Sequence, residues 1–365
     1  MKSIVKKATV YPLHARLVAP FRTALGQHDS LENVLLVIEL TDGTRGFGEA
    51  AVASHITGET VRQTTQNLEH AALELIGRDA ADYLQISGEL GEKLKGNSCA
   101  LAALETALVD CLTRQWKIPL WKFFGSKPHL LKTDMTIVID DIERAEKSAR
   151  EIYKRGIRAF KIKIGGNEDE DLKRVFRVQK MIGRSQIYLD ANAGFTAEQT
   201  LRFLKQLAHH KIKPELIEQP VPKHDWEGLA KVTRESGITV VADESVSTLS
   251  DAVRVVREKC AGGINIKLMK FGVFQAREIV MLTQAAGLKL MIGGMMETEL
   301  ATTASAHVAS GLGGFQYIDL DAPLFIKEKV MKQSYLSRNG IYDLRSVKSG
   351  IGVEPVIHKK KEVAV

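Results

Sequence analysis

Apolar and polar positions alternate through the first fifty residues. KATVYPLHARL (7–17) and ENVLLVIELTDGTRGFGEA (32–50) both read as strands, and Thr41-Asp42-Gly43 is a hairpin signal between two of them. Over residues 59–125 the alternation gives way to helical spacing. NSCALAALETALVDCLTRQW (97–116) predicts a buried helix, capped by Asn97 or Ser98. From Thr133 short apolar runs recur, each followed by a helical stretch: 133–139, 159–165, 186–194, 215–220, 239–245, 263–270, 289–298 and 315–323. Corresponding points, at 163, 190, 218, 243, 267 and 297, advance by one strand-plus-helix length each time. Eight such units predict an α/β protein built on a (β/α)8 barrel over 126–323, preceded by an α+β capping domain over 1–125. Little of the chain after 323 looks like a full helix. Segment 324–365 is expected to leave the barrel and pack back on the N-terminal domain.

The second barrel run reads FKIKIG (160–165), with Lys161 and Lys163 on one face of an otherwise apolar strand. The pattern repeats around the barrel. Asp190 ends the third run, Glu218 the fourth, Asp243 the fifth, Lys267 the sixth, Glu297 the seventh, and Asp319 and Asp321 the eighth. Barrel active sites lie at this C-terminal rim. Burying unpaired charge is costly, so the set needs a ligand, a metal or mutual pairing. Asp190, Glu218 and Asp243 sit on three adjacent strands, close enough to converge on one cation. Their all-oxygen chemistry favours a hard ion, Mg2+ first. Asn192 shares the face of Asp190, whereas Glu244 should point outward by strand alternation. Lys267 lies four strands on from Lys161 and Lys163, across the barrel mouth. Lysine is a poor base at its ordinary pKa of about 10.4, and a neighbouring cation lowers it. One of the paired lysines therefore has the task of tuning the other, and strand geometry alone does not say which. A metal to stabilise carboxylate charge, with an amine on each side of the α-carbon, fits a 1,1-proton transfer. No nucleophile for hydrolysis is evident.

Composition narrows the setting. The 365 residues are 44% hydrophobic and 26% charged, and the 51 basic against 44 acidic residues leave a net charge of +7. Part of that excess lies in His358-Lys359-Lys360-Lys361, read as a solvated tail, and no basic face with interleaved aromatics points to nucleic acid. Three scattered cysteines make neither a zinc site nor a disulfide framework. With no signal peptide and no apolar run long enough to span a membrane, a cytoplasmic setting is the expectation. A small-molecule substrate and a homo-oligomer are expected besides, neither following from composition.

K-x-K, D-A-N (190–192), E-Q-P (218–220), A-D-E-S (242–245) and N-I-K-L (265–268) together resemble the enolase superfamily, muconate-lactonizing subgroup, over nearly the whole chain. The resemblance implies one Mg2+ per active site on Asp190, Glu218 and Asp243, acid/base roles for Lys163 and Lys267, and a supporting charge at Lys161. Asp319-Leu320-Asp321 resembles the dipeptide epimerases of that subgroup, whose two acids hold the α-ammonium of the substrate. Thr136 resembles the residue that contacts the dipeptide. Relatives acting on L-Ala-D/L-Glu carry an arginine in a flexible capping loop near position 26; here that loop reads PFRTALGQHDSLENV (20–34), with Gly26 behind Arg22. The second capping loop, ASHITGET (53–60), offers His55 and Ile56, and Met295, Met296 and Leu300 near the seventh run suggest an apolar subsite. The expected activity is epimerisation of an L,L-dipeptide such as L-Ala-L-X with X non-acidic. The alternatives are an L-Ala-D/L-Glu epimerase, an N-acylamino-acid racemase, o-succinylbenzoate synthase or muconate cycloisomerase of the same subgroup, and a non-enzymatic metal-binding barrel.

Overall fold

The structure is a computed structural model that describes residues 2–24, 26–54, 58–125 and 127–357. His55, Ile56 and the basic run from His358 lie outside the described residues. Three antiparallel strands open the chain: β1 (Val5–Thr23), β2 (Gly26–Leu40) and β3 (Arg45–Ala50), in that order. The TDG turn joins β2 to β3, with Gly43 at φ 84°, a left-handed conformation that glycine adopts without strain. One difference from the sequence reading bears on the site. β1 and β2 remain paired out to Arg22↔Gln27 and Thr23↔Gly26, so the segment read as a loop is a long hairpin arm. Its polar residues sit at strand positions, and cross-strand pairing continues past the apolar core.

Helices α1 (Val61–Leu75), α2 (Tyr83–Lys93) and α3 (Ser98–Gln115) cover this sheet. Asn97 is the cap of α3 and accepts the Ala100 N–H. The glycines of β3 have a packing reason. A Cβ on Gly48 would lie 1.9 Å from the Ala103 carbonyl oxygen, and one on Gly46 would lie 2.3 Å from that of Ala107. Strand and buried helix touch backbone to backbone there, which only glycine permits.

Eight parallel strands follow, hydrogen-bonded in sequence order: β4 (Met135–Ile137), β5 (Ala159–Lys163), β6 (Gln186–Asp190), β7 (Leu216–Glu218), β8 (Thr239–Ala242), β9 (Gly263–Ile266), β10 (Lys289–Ile292) and β11 (Phe315–Ile318). The first meets the last where the Asp134 N–H donates to the Ile318 carbonyl at 2.9 Å and the Leu320 N–H donates to Thr133 Oγ1 at 2.8 Å. Tyr188, Leu216, Val241 and Met291 pack together inside, joined by Ala159 and Tyr317. Two residues on, toward the strand ends, the same inward face carries Lys161, Asp190, Glu218, Asp243 and Asp319. Period-two alternation thus stacks a polar layer directly on an apolar plug. The opposite faces, such as Phe160 and Ile162, are fully buried in the main core outside the barrel.

After the barrel, the Lys327 N–H donates to Arg16 O at 2.9 Å and the Ile351 N–H to Asp110 Oδ1 at 2.7 Å, so residues 324–357 touch both β1 and α3. His307, fully buried on α10 (Glu299–Leu312), stitches the same region. Its Nδ1 accepts the Trp121 N–H at 3.0 Å, and its Nε2 lies 3.0 Å from the Ile351 carbonyl. Burial lowers its pKa from 6.5 to about 4. Between those values the unfolded chain binds a proton that the folded protein refuses. The stabilisation is therefore complete above pH 6.5 and is lost as pH falls toward 4, by about 3 kcal/mol in all. Urea midpoints measured over that range should show this limb in the wild type and a shallower one in His307→Gln.

Candidate active site

The C-terminal rim of the barrel and the β1–β2 hairpin enclose a cavity of about 390 Å³. Its floor includes Thr136, Lys161, Lys163, Asn192, Lys267, Asp319 and Asp321; its roof includes Phe21, Gln27, Asp29 and Glu32. The Lys161 ammonium sits at the centre of the floor, with Asp190 Oδ2 at 2.8 Å and both Glu218 Oε2 and Asp319 Oδ2 at 2.7 Å. Burial opposes its charge, but the three carboxylates outweigh burial and hold it well above the ordinary lysine range. Lys163 stands beside it, 2.6 Å from Asp190 Oδ2 and donating to Asn192 Oδ1 at 3.0 Å. Across the mouth, Lys267 meets Asp243 Oδ2 at 2.7 Å. It too is held charged, since the attraction of Asp243 and then Glu218 exceeds the effect of burial.

The acids respond in opposite directions. Burial alone would raise Asp190 and Asp243; the lysines beside each reverse this and hold both below the usual carboxylate range. Glu218, fully buried and close to Asp190, is pushed up to about 7. These three residues offer oxygen ligands only. Glu218 Oε2 meets the Lys161 ammonium at 2.7 Å, and Glu244 Oε2 nearby makes no hydrogen bond. Buried carboxylates on adjacent strands, whose charge is met by cations, suit a hard divalent cation. Among the described residues, however, the three acids whose oxygens close to within 4.8 Å of one another are Asp134, Asp319 and Asp321. Lys161 instead bridges Asp190 and Glu218, and Asp243 pairs with Lys267 and Lys270.

Residues 6–125 match the mandelate racemase / muconate lactonizing enzyme N-terminal domain, and residues 144–359 match the enolase C-terminal domain-like family. The chain belongs to the mandelate racemase/muconate lactonizing enzyme family. It is similar to the hydrophobic dipeptide epimerase of Citrifermentans bemidjiense, 45% identical over 96% of this chain and 98% of that protein. The aromatic dipeptide epimerase of Herpetosiphon aurantiacus is 38% identical over 97% and 99% of the two chains. The crystal structure of a dipeptide epimerase from Enterococcus faecalis, complexed with Mg and L-Leu-L-Tyr, aligns with a TM-score of 0.92 at 30% identity over 97% of this chain and 99% of that one.

Not every residue singled out in the sequence reaches the cavity of this family member. Thr136 does, and its N–H donates to Asp321 Oδ2 at 2.6 Å. Met295 and Met296 line the wall, but Leu300 is fully buried in the main core. Its place in the first turn of α10 aims it away from the mouth. Gly26 ends the hairpin at φ 150°, and Arg22 turns to Gln27 Oε1 (2.7 Å) and Asp140 Oδ1 (3.3 Å); neither lines the cavity. Glu297 lies behind the wall, fully buried, where it accepts the Met295 N–H at 2.7 Å; burial raises its carboxyl to about 8.

Glu244 does not point outward. β8 ends at Ala242, so strand alternation no longer governs residue 244, and its carboxylate accepts from Asn192 Nδ2 at 3.1 Å. Burial and the charge of Asp243 raise it to about 8.

Two polar partners escaped sequence reasoning. Asn265 donates to Glu218 Oε1 at 2.7 Å, and Lys270 Nζ contacts Asp243 Oδ1 and its carbonyl, each at 2.7 Å. Asn265 was legible, being two residues before Lys267 on one strand. Lys270 was not, because it reaches Asp243 from the single turn that precedes Gly272, whose φ of 71° breaks α9 (Leu268–Ala285).

Proposed function

We propose that the protein is a Mg2+-dependent dipeptide epimerase acting at the α-carbon of the C-terminal residue of an L,L-dipeptide such as L-Ala-L-X, with X non-acidic. The observation that carries this reading is the conjunction, in one cavity, of lysines on opposite strands with a pair of buried acids. Asp319 and Asp321 form an anionic end suited to a substrate ammonium, which has three donors and no acceptor. Asp190, Glu218 and Asp243 would hold one Mg2+ at the other end. When bound, the ion stabilises the negative charge that builds on the substrate carboxylate as the α-proton leaves. Lys163 and Lys267 then face the α-carbon from the two sides of the mouth, one removing the proton and the other delivering one to the opposite face. Lys161 ties the floor together through Asp190, Glu218 and Asp319.

The preference for a non-acidic X rests on the roof and wall. Among the described lining residues, the lysines are the three of the floor and no arginine is present, while Asp29 and Glu32 line the roof of the same cavity as Met295 and Met296. A glutamate side chain there would meet like charge. Epimerisation of a library of L-Ala-L-X and L-X-L-Ala dipeptides in deuterated water, read by mass, tests the reading directly. Uptake is expected for apolar X and is expected to vanish on chelation of divalent ions and return with Mg2+. Uptake for X = Glu alone would overturn the specificity, and uptake only into N-acylated amino acids would overturn the substrate class. The reading extends to a cytoplasmic homo-oligomer. Sedimentation of the purified protein checks the assembly. Among the described residues no helix is long and apolar enough to cross a membrane.

A further inference from the structure

Asp134 has no part in the mechanism above, yet it is among the most thoroughly buried carboxyls of the barrel. It precedes β4, two residues before Thr136 on the same inward face, and is 0% exposed. A carboxyl oxygen of Asp134 lies within 4.8 Å of one from Asp319 and one from Asp321. Both its oxygens lack a hydrogen-bond donor. The nearest cation cannot supply one. An ammonium has three N–H donors, and Lys161 already faces Asp190, Glu218 and Asp319 at 2.7–2.8 Å. The Thr136 N–H goes to Asp321, and the Asp134 N–H goes to Ile318. Tyr188, the phenol on the neighbouring β6, donates to Gln186 Oε1 at 3.3 Å and packs edge-on against Tyr317. Three buried carboxyls therefore converge with no donor left for the deepest of them. Two carboxylates facing each other are both acceptors and repel unless one carries a proton.

We propose that Asp134 is a positioning residue of the ammonium pocket: a neutral acid whose O–H donates to Asp319 and fixes that carboxylate for the substrate. Burial first, then the charges of Asp319 and Asp321, favour its protonated form. Its side chain interacts with that of Asp319 in the sense such a bond requires. The arrangement keeps the pocket at two negative charges rather than three. It also holds Asp319 from behind, through Asp134 and Lys161, so that the remaining lone pairs face the cavity. This inference rests on the dipeptide reading for its kinetic consequence but not for its chemistry.

Two measurements test it. Asp134→Leu removes the donor at similar volume and is expected to raise the dipeptide KM about tenfold with kcat much less changed. Asp134→Asn places an N–H where the O–H stands and should bring KM back to within about threefold of the wild type. If Asp134→Asn raised KM as much as Asp134→Leu, the residue would be acting as a carboxylate and the proposal would fall. An unchanged KM in Asp134→Leu would remove it equally. Should Asp134→Leu not fold, as judged by circular dichroism, the infrared difference between wild type and Asp134→Asn decides. A protonated-carboxyl band at neutral pH in the wild type is expected, and its absence overturns the proposal. That band needs no substrate, so its presence in a protein that epimerises no dipeptide would fault the functional reading alone.

Discussion

Lys267→Ala is expected to lower dipeptide epimerisation by about 10²–10⁴-fold, and Lys163→Ala by a similar factor. The two amines stand on strands four apart in the eight-stranded barrel; Lys161, beside Lys163, is held charged by three carboxylates, and Lys270, beside Lys267, does not line the cavity. Removing one leaves a single-sided site. Proton removal from one epimer then survives, because its α-hydrogen still faces the remaining lysine, but inversion does not. Deuterium uptake should persist for at most one epimer in each variant, and the surviving epimer should differ between the two. Uptake from both epimers in either variant would break the assignment. The fold should tolerate the changes. Asp243 retains Lys270 at 2.7 Å when Lys267 is removed, and Asp190 retains Lys161 at 2.8 Å when Lys163 is removed. Paired as it is with Asp243, Lys267 is held charged and suited to deliver a proton. To act as a base it requires the Asp243 charge to be engaged by another cation, which ties the lysine to the metal site through one carboxylate.

The sequence was most informative where one rule governs many residues. Period-two alternation on eight similar strands predicted both the barrel and the face that carries Lys161, Lys163, Asp190, Glu218 and Asp319. Register within the sheet then needed no further information, because a one-residue slip would put every charge into the outer core. Legibility failed where the chain leaves a strand. Glu244 and Lys270 lie just beyond β8 and β9, and each turns back to the site through a bend that alternation does not describe. The hairpin arm that carries Arg22 and Gly26 was misread for a related reason. Its residues do not alternate regularly, and Pro20 and Gly26 read as breakers, so pairing there follows from the continuation of β1 and β2 rather than from an apolar pattern. Mutual pairing of the charges was one of the options the sequence offered, but which acid meets which lysine was not legible. The structure gives Lys161 three carboxylates of its own. The cluster of Asp134, Asp319 and Asp321 forms only when the first strand closes on the last, a contact separated by 185 residues or more in sequence.

Asp321→Asn should cost two to three decades in kcat/KM for a dipeptide, about 3–4 kcal/mol, which falls within the range of about 2–5 kcal/mol for removing one partner of a buried charge pair. The effect belongs to binding and placement of the ammonium, so KM should carry most of it. A substrate whose amine is acylated has no ammonium to lose, and any residual turnover of it should be unaffected by the substitution. Equal losses on both substrates would show that Asp321 only supports the fold. Acidity gives a second handle. Burial first, and then the charge of Asp319, raise the Asp321 carboxyl to about 7, while the Thr136 N–H at 2.6 Å pulls it back. The ammonium binds the ionised form, so in the free protein a falling pH protonates the group and weakens binding. kcat/KM should therefore rise with pH to a plateau above about 7 and fall along a limb below it. In Asp321→Asn that limb should flatten at the same time as KM rises, because an amide has no proton to gain. A wild-type profile level down to pH 5 would remove Asp321 as the titrating group that holds the ammonium.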